Sequence, residues 1–320
     1  MRNVALVMLG TLAIVALPLA EAQPPKVARI GVLTNVDSPL LQTFRDALHE
    51  LGYVEGRTVA FDYRFSRGMV ERLPELAGEL IRSKVDVIFA PSTTAARAAS
   101  KATATIPIVF ASAGDPVETG LVASLARPGG NITGLSSVNV ELAGKRLALL
   151  KEAVPGIARV AILWVDAPIG RAQMRETEVA ARALGLQLQS LPVRTADELE
   201  AALKAAVARG AEALVVPRNP LSFGLRARIP ELAASSRLPA VYDDIEFAEA
   251  GGLMTYGPSL RENYRRAAVY IDKILNGSRP ADLPVEQPTT FELAINLKAA
   301  GALGITIPQS LLLRADHVFR

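Results

Sequence analysis

From residue 27 onward, short runs rich in β-branched and other apolar residues alternate with longer stretches whose apolar residues recur every three or four positions. The first pattern predicts buried strands and the second helices with one buried face. Strands are predicted at 27–33, 59–63, 85–90, 106–110 and 132–135, and helices at 40–51, 69–83, 93–103 and 117–126. Gly52 closes the first helix, and Pro128-Gly129-Gly130 marks a turn before the last of these strands. The same grammar then restarts, with helices at 142–153, 170–184, 196–209 and 221–235 and strands at 159–165, 186–192, 213–216 and 239–242. Asp197 and Glu198 sit in the first turn of the 196–209 helix, where negative charge favours the helix dipole. Beyond about residue 251 the pattern holds one long helix at 259–276, a strand at 291–296 and short helical pieces.

Strands separated by helical stretches of this length indicate βαβ units and parallel sheets. The fold class is therefore α/β, with two Rossmann-like, doubly wound lobes meeting near residues 136–141 and joined by a hinge. A chain of 320 residues has the length for two such lobes. Its last stretch is too short for a third domain and should complete both sheets. Lobe 1 is expected to take 27–137 plus about 252–285, and lobe 2 to take 138–251 plus about 286–320. Ligands in open α/β sheets bind outside the carboxyl ends of the strands, so the loops that follow strands carry the candidate site.

The segment before residue 27 follows another rule. Arg2 precedes an apolar run over 4–20 broken only by Gly10, Thr11 and Pro18, and Ala20-Glu21-Ala22 supplies small residues at both A-x-A positions. This predicts a signal peptide over 1–22, cleaved before Gln23, and a periplasmic location. The other reading, a membrane anchor, needs a run at the short limit for spanning. With no cysteine after the apolar run, a lipid-anchored lipoprotein is not expected, and no later stretch is apolar and long enough to span.

Composition narrows the chemistry. The chain has no cysteine and two histidines, His49 and His317, far apart in sequence. Disulfides, thiolate metal sites and a cysteine nucleophile are excluded, and no metal site is expected. No phosphate-binding G-x-x-x-x-G-K-[ST], dinucleotide G-x-G-x-x-G or G-x-S-x-G elbow occurs, so neither a cofactor nor an enzyme is predicted. The net charge of +3 comes from 35 basic and 32 acidic residues mixed along the chain, which argues against nucleic acid as a partner. Asn131-Ile132-Thr133 and Asn276-Gly277-Ser278 match the glycosylation pattern and read most simply as turns.

Several strand-end loops could hold a small ligand. Asn35 lies in the polar loop after the first strand. Ser92, Thr93 and Thr94 bring hydroxyls and free backbone N–H groups to a helix N-terminus, which suits an anion such as a carboxylate, although one such residue would suffice as an ordinary cap. Ala113 and Gly114 permit close backbone approach, and Asp115 either faces the ligand or caps the next helix. In the second half, Trp164-Val165-Asp166 and Pro217-Arg218-Asn219 close strands. Asp243, Asp244 and Glu246 form the most acidic strand-end loop; they suit a ligand ammonium group or simply the start of a helix. Phe110, Trp164, Phe223, Tyr242 and Tyr256 lie on or near strand ends, where each could wall a pocket or fill the core.

Four stretches carry a family resemblance. They are Asp115-Pro116-Val117-Glu118-Thr119-Gly120-Leu121-Val122 running on to Gly134, then Gly144-Lys145-Arg146-Leu147, then Glu249-Ala250-Gly251-Gly252-Leu253-Met254-Thr255-Tyr256-Gly257, and the tail from Pro284-Val285-Glu286-Gln287-Pro288 to Asp316. Through them the chain resembles the ABC-transporter substrate-binding proteins related to the tryptophan-binding TrpX type. The resemblance implies a type I periplasmic binding fold with three crossovers, a ligand closed between the lobes, and delivery to a membrane permease with a cytosolic ATPase. It also implies an amino acid or another small carboxylate-bearing solute as ligand. The carboxylate would meet Ser92, Thr93, Thr94 and the Ala113–Asp115 loop, and the ammonium group would meet Asp243, Asp244 or Glu246. A monomer is expected. The competing functional classes are a sensor component that hands its ligand state to a membrane receptor kinase, and an exported enzyme in the same cleft.

Overall fold

The computed structural model describes residues 27–320, so the predicted signal peptide lies outside the described residues. In chain order the first lobe contributes β1 (Ala28–Thr34), α1 (Pro39–Glu50), β2 (Val59–Phe65), α2 (Leu73–Arg82), β3 (Val87–Phe89), α3 (Thr93–Ala102), β4 (Ile108–Gly114) and β5 (Ile132–Ser137). The chain continues through α4 (Ala143–Ala153), β6 (Arg159–Trp164), α5 (Pro168–Ala183), β7 (Gln187–Pro192), α6 (Glu198–Ala208) and β8 (Ala213–Val216). There follow α7 (Pro220–Gly224), α8 (Arg228–Ser235), β9 (Ala240–Tyr242), α9 (Ile245–Glu249) and β10 (Met254–Pro258). Last come α10 (Leu260–Leu275), β11 (Phe291–Asn296), α11 (Leu297–Leu303), α12 (Gln309–Leu312) and β12 (His317–Phe319).

The first sheet has the order β2-β1-β3-β4-β5 and is parallel throughout. Helices cover both of its faces, which is why its central strands read as unbroken apolar runs. On one face, α1 begins at Ser38, whose Oγ accepts the Leu40 N–H at 3.2 Å, and turns Leu40, Leu41, Phe44, Ala47 and Leu48 inward. Phe44 stacks on Phe89 at 4.0 Å, and Tyr264 of α10 meets the same ring edge-on at 5.4 Å. On the other face, α2 and α3 bury Leu76, Leu80, Ala95 and Ala99.

The second sheet runs β12-β11-β10-β9-β8-β6-β7, parallel except for the β10–β11 pair. Leu147, Leu150 and Ala181 pack on one side of it, and Leu199, Leu203, Ile229 and Ala233 on the other. Two sheets, each sandwiched by helices, match the predicted α/β class.

Four local expectations are corrected. The helix predicted over 117–126 is a series of turns: Asp115 Oδ1 accepts the N–H groups of Val117 and Glu118 at 3.1 and 2.9 Å, and Gly120 at φ +69° then stops any further coiling. The helix predicted over 221–235 is split into α7 and α8, because Pro230 cannot donate to residue 226 and its ring crowds that carbonyl. Strands β10 and β12 were not anticipated. Because β10 belongs to the second sheet, the chain returns to the first lobe at Ser259 rather than near residue 252. Gly257 permits this pairing, since a Cβ there would stand 2.0 Å from the Asp243 carbonyl oxygen.

Three segments cross between the lobes side by side. Residues 138–142 leave β5; Ser259 leaves β10 and donates its N–H to the Thr290 carbonyl at 2.9 Å; and the third returns from Glu286, which exchanges backbone hydrogen bonds with Gly134 and Ser136, to β11. The buried Arg146 of α4 ties two of them together. Its Nε donates to the Tyr256 carbonyl at 2.8 Å, while its Nη atoms donate to the Asn139 carbonyl and Oδ1 at 2.8 and 2.9 Å. The lobes also touch directly. Val36 of the first lobe packs on the α6–α8 side of the second, and Ile169 lies against Gly114.

Candidate functional site

A cavity of about 130 Å³ lies between the lobes, of the order that holds a benzene-sized molecule. The first lobe walls it with the ends of β1, β3 and β4, as expected for strand carboxyl ends. The second lobe supplies Ile169 and Gln173 from α5 and Arg218, Asn219 and Phe223 from around α7. Ser137 comes from the end of β5, Asn139 from the first crossing segment, and Tyr264 from α10.

In the first lobe, five of the expected residues line this space: Asn35, Ser92, Thr93, Thr94 and Gly114. They are held in a small network. Ser92 Oγ caps α3 by accepting the Ala95 N–H at 3.4 Å and lies 3.2 Å from the Thr94 hydroxyl. Asn35 Nδ2 reaches Thr94 Oγ1 at 3.5 Å, and its Oδ1 accepts from Ser66 at 3.0 Å. Thr93 Oγ1 accepts the Gly114 N–H at 3.0 Å and so binds the β3 and β4 loops together. Ser92 thus serves both readings at once, capping the helix and lining the cavity.

The remaining candidates are elsewhere. Ala113 points into the first-lobe core, and Asp115 is exposed and caps the turns after β4. Trp164 donates its Nε1–H to Ser190 at 2.8 Å beside the second sheet, and the Tyr256 ring stacks with Phe291 at 6.4 Å. Neither lines the cavity.

The acidic loop is also turned away from it, because arginines hold all three carboxylates. Asp243 Oδ2 accepts the Arg218 backbone N–H at 2.9 Å and lies 4.0 Å from Arg146. Asp244 caps α9 through the Glu246 N–H at 3.0 Å, and its Oδ2 lies 3.1 Å from Arg218 Nε. Glu246 pairs with Arg226 at 2.9 Å. Burial raises the Asp243 pKa, and burial together with the charge of Asp244 pushes Glu246 up to about 7. Burial likewise lowers the pKa of Arg146, against the pull of Asp243.

Ser137 at the end of β5 and Asn139 in the first crossing segment, together with Ile169, Gln173 and Tyr264, complete the wall without having been anticipated. One signal was present for Gln173. With Ile169 and Thr177 it makes an i, i+4, i+8 stripe on α5, and Gln173 and Thr177 are polar yet buried at 4% and 1% exposure.

A small cavity walled by both lobes, mostly apolar with a few polar groups, is what a solute-binding protein requires. The chain belongs to the ABC transporter substrate binding protein family, whose model matches residues 29–319. It is 26% identical to the tyrosine-binding protein of Clostridioides difficile (strain R20291) over 284 residues, 87% of this chain and 81% of that one. The crystal structure of an ABC domain from Streptococcus pneumoniae in complex with L-Trp is similar at TM-score 0.85 and 28% identity, covering 92% of this chain and 100% of that one. The ligand-free, open structure of a substrate-binding protein with adhesive properties from Clostridium difficile gives 0.67 at 26% identity, covering 92% and 99%. The fold is thus the type I periplasmic binding fold. Among the described residues no helix is long and apolar enough to cross a membrane.

Proposed function

We propose that this chain is the periplasmic substrate-binding component of an ABC importer, taking a small carboxylate-bearing solute of amino-acid size into the cavity between its lobes. The observation that carries this reading is the wall at the start of α3. There Ser92, Thr93 and Thr94 meet the free N–H groups and positive end of a ten-residue helix inside the cavity. Thr93 Oγ1 accepts from Gly114 and keeps its own proton to donate.

Hinge closure is the proposed mechanism, with the liganded, closed form presented to the permease and its ATPase. Direct contact between Val36 and the second lobe supports a closed state. So does the better match to the L-Trp complex, 0.85, than to the open ligand-free relative, 0.67, at similar identity. The amino acids of those relatives, L-Trp and tyrosine, support the size and the carboxylate of the ligand. In this reading the protein acts as a monomer and needs only this cavity and the surface that meets the permease.

The test is a thermal-shift screen of amino acids and small carboxylates, since a ligand that binds only the folded state raises the midpoint. The best ligand is then titrated by calorimetry into the Thr93→Ala/Thr94→Ala variant. Losing two hydrogen-bond donors should weaken binding roughly 10- to 100-fold, at about 1 kcal/mol or somewhat more each. The midpoint without ligand should fall by only a few degrees. Unchanged affinity in a folded variant refutes the assignment.

A further inference from the structure

Resting on the reading of the cavity as the ligand site, we infer that its ligand is an anion without an ammonium group, a carboxylic acid rather than a zwitterionic amino acid.

The argument begins with which charges face the space. Among the described residues that line the cavity, Arg218 is the charged one. The acids nearest to it, Asp243, Asp244 and Glu246, do not line the cavity; they stand 4.0, 3.1 and 2.9 Å from Arg146, Arg218 and Arg226, each with one oxygen that has no hydrogen-bond partner. An ammonium group entering here meets the Arg218 guanidinium, whose Nε side faces Asp244 behind the wall, and no carboxylate in the lining. Burying a cation without a counter-charge is expensive, and a like charge close by adds to the cost.

An aromatic face could compensate, but the Phe223 ring already carries two guanidiniums, Arg218 at 3.9 Å and Arg226 at 4.7 Å from its centroid. The Arg218 guanidinium thus lies over the ring with its Nε toward Asp244, and its Nη groups make no hydrogen bond among the described residues. A planar fork held in this way suits a carboxylate.

The remaining polar groups are neutral. Gln173 is 4% exposed, and its Oε1 has no partner. Its Nε2 leans on the Arg218 carbonyl at 3.5 Å, which leaves Oε1 to accept a hydroxyl or amide N–H from the ligand. The first-lobe wall of hydroxyls and α3 N–H groups is likewise built for negative charge. Both sides of the cavity therefore favour an anion, and no carboxylate that would balance an ammonium group lines it.

The experiment compares amino acids with the same acids lacking the amino group, by calorimetry on the exported form of the chain at pH 7.5. The pairs are L-tyrosine with 3-(4-hydroxyphenyl)propanoate, L-leucine with 4-methylpentanoate, and L-glutamate with glutarate. In every pair that binds, the acid lacking the amino group is expected to bind at least about tenfold more tightly. In Arg218→Gln that preference should shrink to less than about threefold. An amino acid binding as tightly as its partner, or more so, overturns the inference and leaves the reading of the cavity intact. Binding by no member of any pair at about 1 mM overturns both. If Arg218→Gln fails to fold, the pairwise comparison in the unaltered protein decides alone.

Discussion

The loop after β3 and the loop after β9 are both short, polar and placed at the carboxyl end of a strand, yet they face different partners. Ser92, Thr93 and Thr94 look into the cavity and spend their hydrogen bonds on neighbouring hydroxyls, one amide and one helix cap. Asp243, Asp244 and Glu246 stand behind it, each matched to an arginine. The difference lies in the charge. Neutral hydroxyls can wait half-satisfied at a wetted surface, whereas a carboxylate buried to a few per cent exposure requires a partner in the folded protein itself. Arginines at 146, 218 and 226 stand beside the three acids, so the acidic loop helps hold the second lobe together while the hydroxyl loop faces the cavity proposed for the ligand.

Three substitutions can break or sharpen that contrast. The largest effect is expected for Arg146→Met. It strips Asp243 of its buried counter-charge and releases both crossing segments, so urea unfolding should show a loss of about 3–5 kcal/mol, the usual cost of orphaning one member of a buried pair. A loss under about 1 kcal/mol would mean that the acidic loop is not structural.

A smaller effect, dependent on pH, is expected for Glu246→Gln. The Glu246 pKa rises from 4.5 to about 7 on folding, so between those values the folded state holds a proton that the unfolded state has released. Its contribution to stability is therefore most favourable below about pH 4.5 and declines as pH rises through 7. The midpoint of the unaltered protein minus that of Glu246→Gln should fall between pH 5 and pH 8, while ligand affinity at pH 7.5 changes less than about twofold. A flat difference, or a large loss of affinity, would move Glu246 from the scaffold to the site.

The smallest effect is expected where the two lobes meet. A Cβ on Gly114 would stand 2.9 Å from Ile169 Cδ1, the movable end of a flexible side chain. Gly114→Ala should therefore weaken binding only about two- to fivefold by opposing closure, and Gly114→Ala/Ile169→Val should recover part of it. Equal weakening in both variants would show that the contact is not what limits closure.

The alternation of elements was enough to read the α/β class, both lobes and most element positions, because buried parallel strands leave short unbroken apolar runs and amphipathic helices a period of 3.6 directly on the chain. It failed where one residue overrides the period, as at Gly120 and Pro230, where glycine and proline interrupt a strand, as at Gly257 and Pro258 in β10, and where a strand has only three, mostly exposed residues, as in β12. The hydroxyl wall was legible for the same reason as the fold: its residues are consecutive and sit at a helix start. What the sequence by itself could not determine was which charged groups would face the cavity. Asp243 and Arg146 are almost a hundred positions apart, as are Asn139 and Arg218 more nearly eighty, and only the tertiary fold brings each to its place. Whether a carboxylate binds a ligand or an arginine depends on which one packing places beside it, since the desolvation that makes pairing obligatory exists only once the chain is folded.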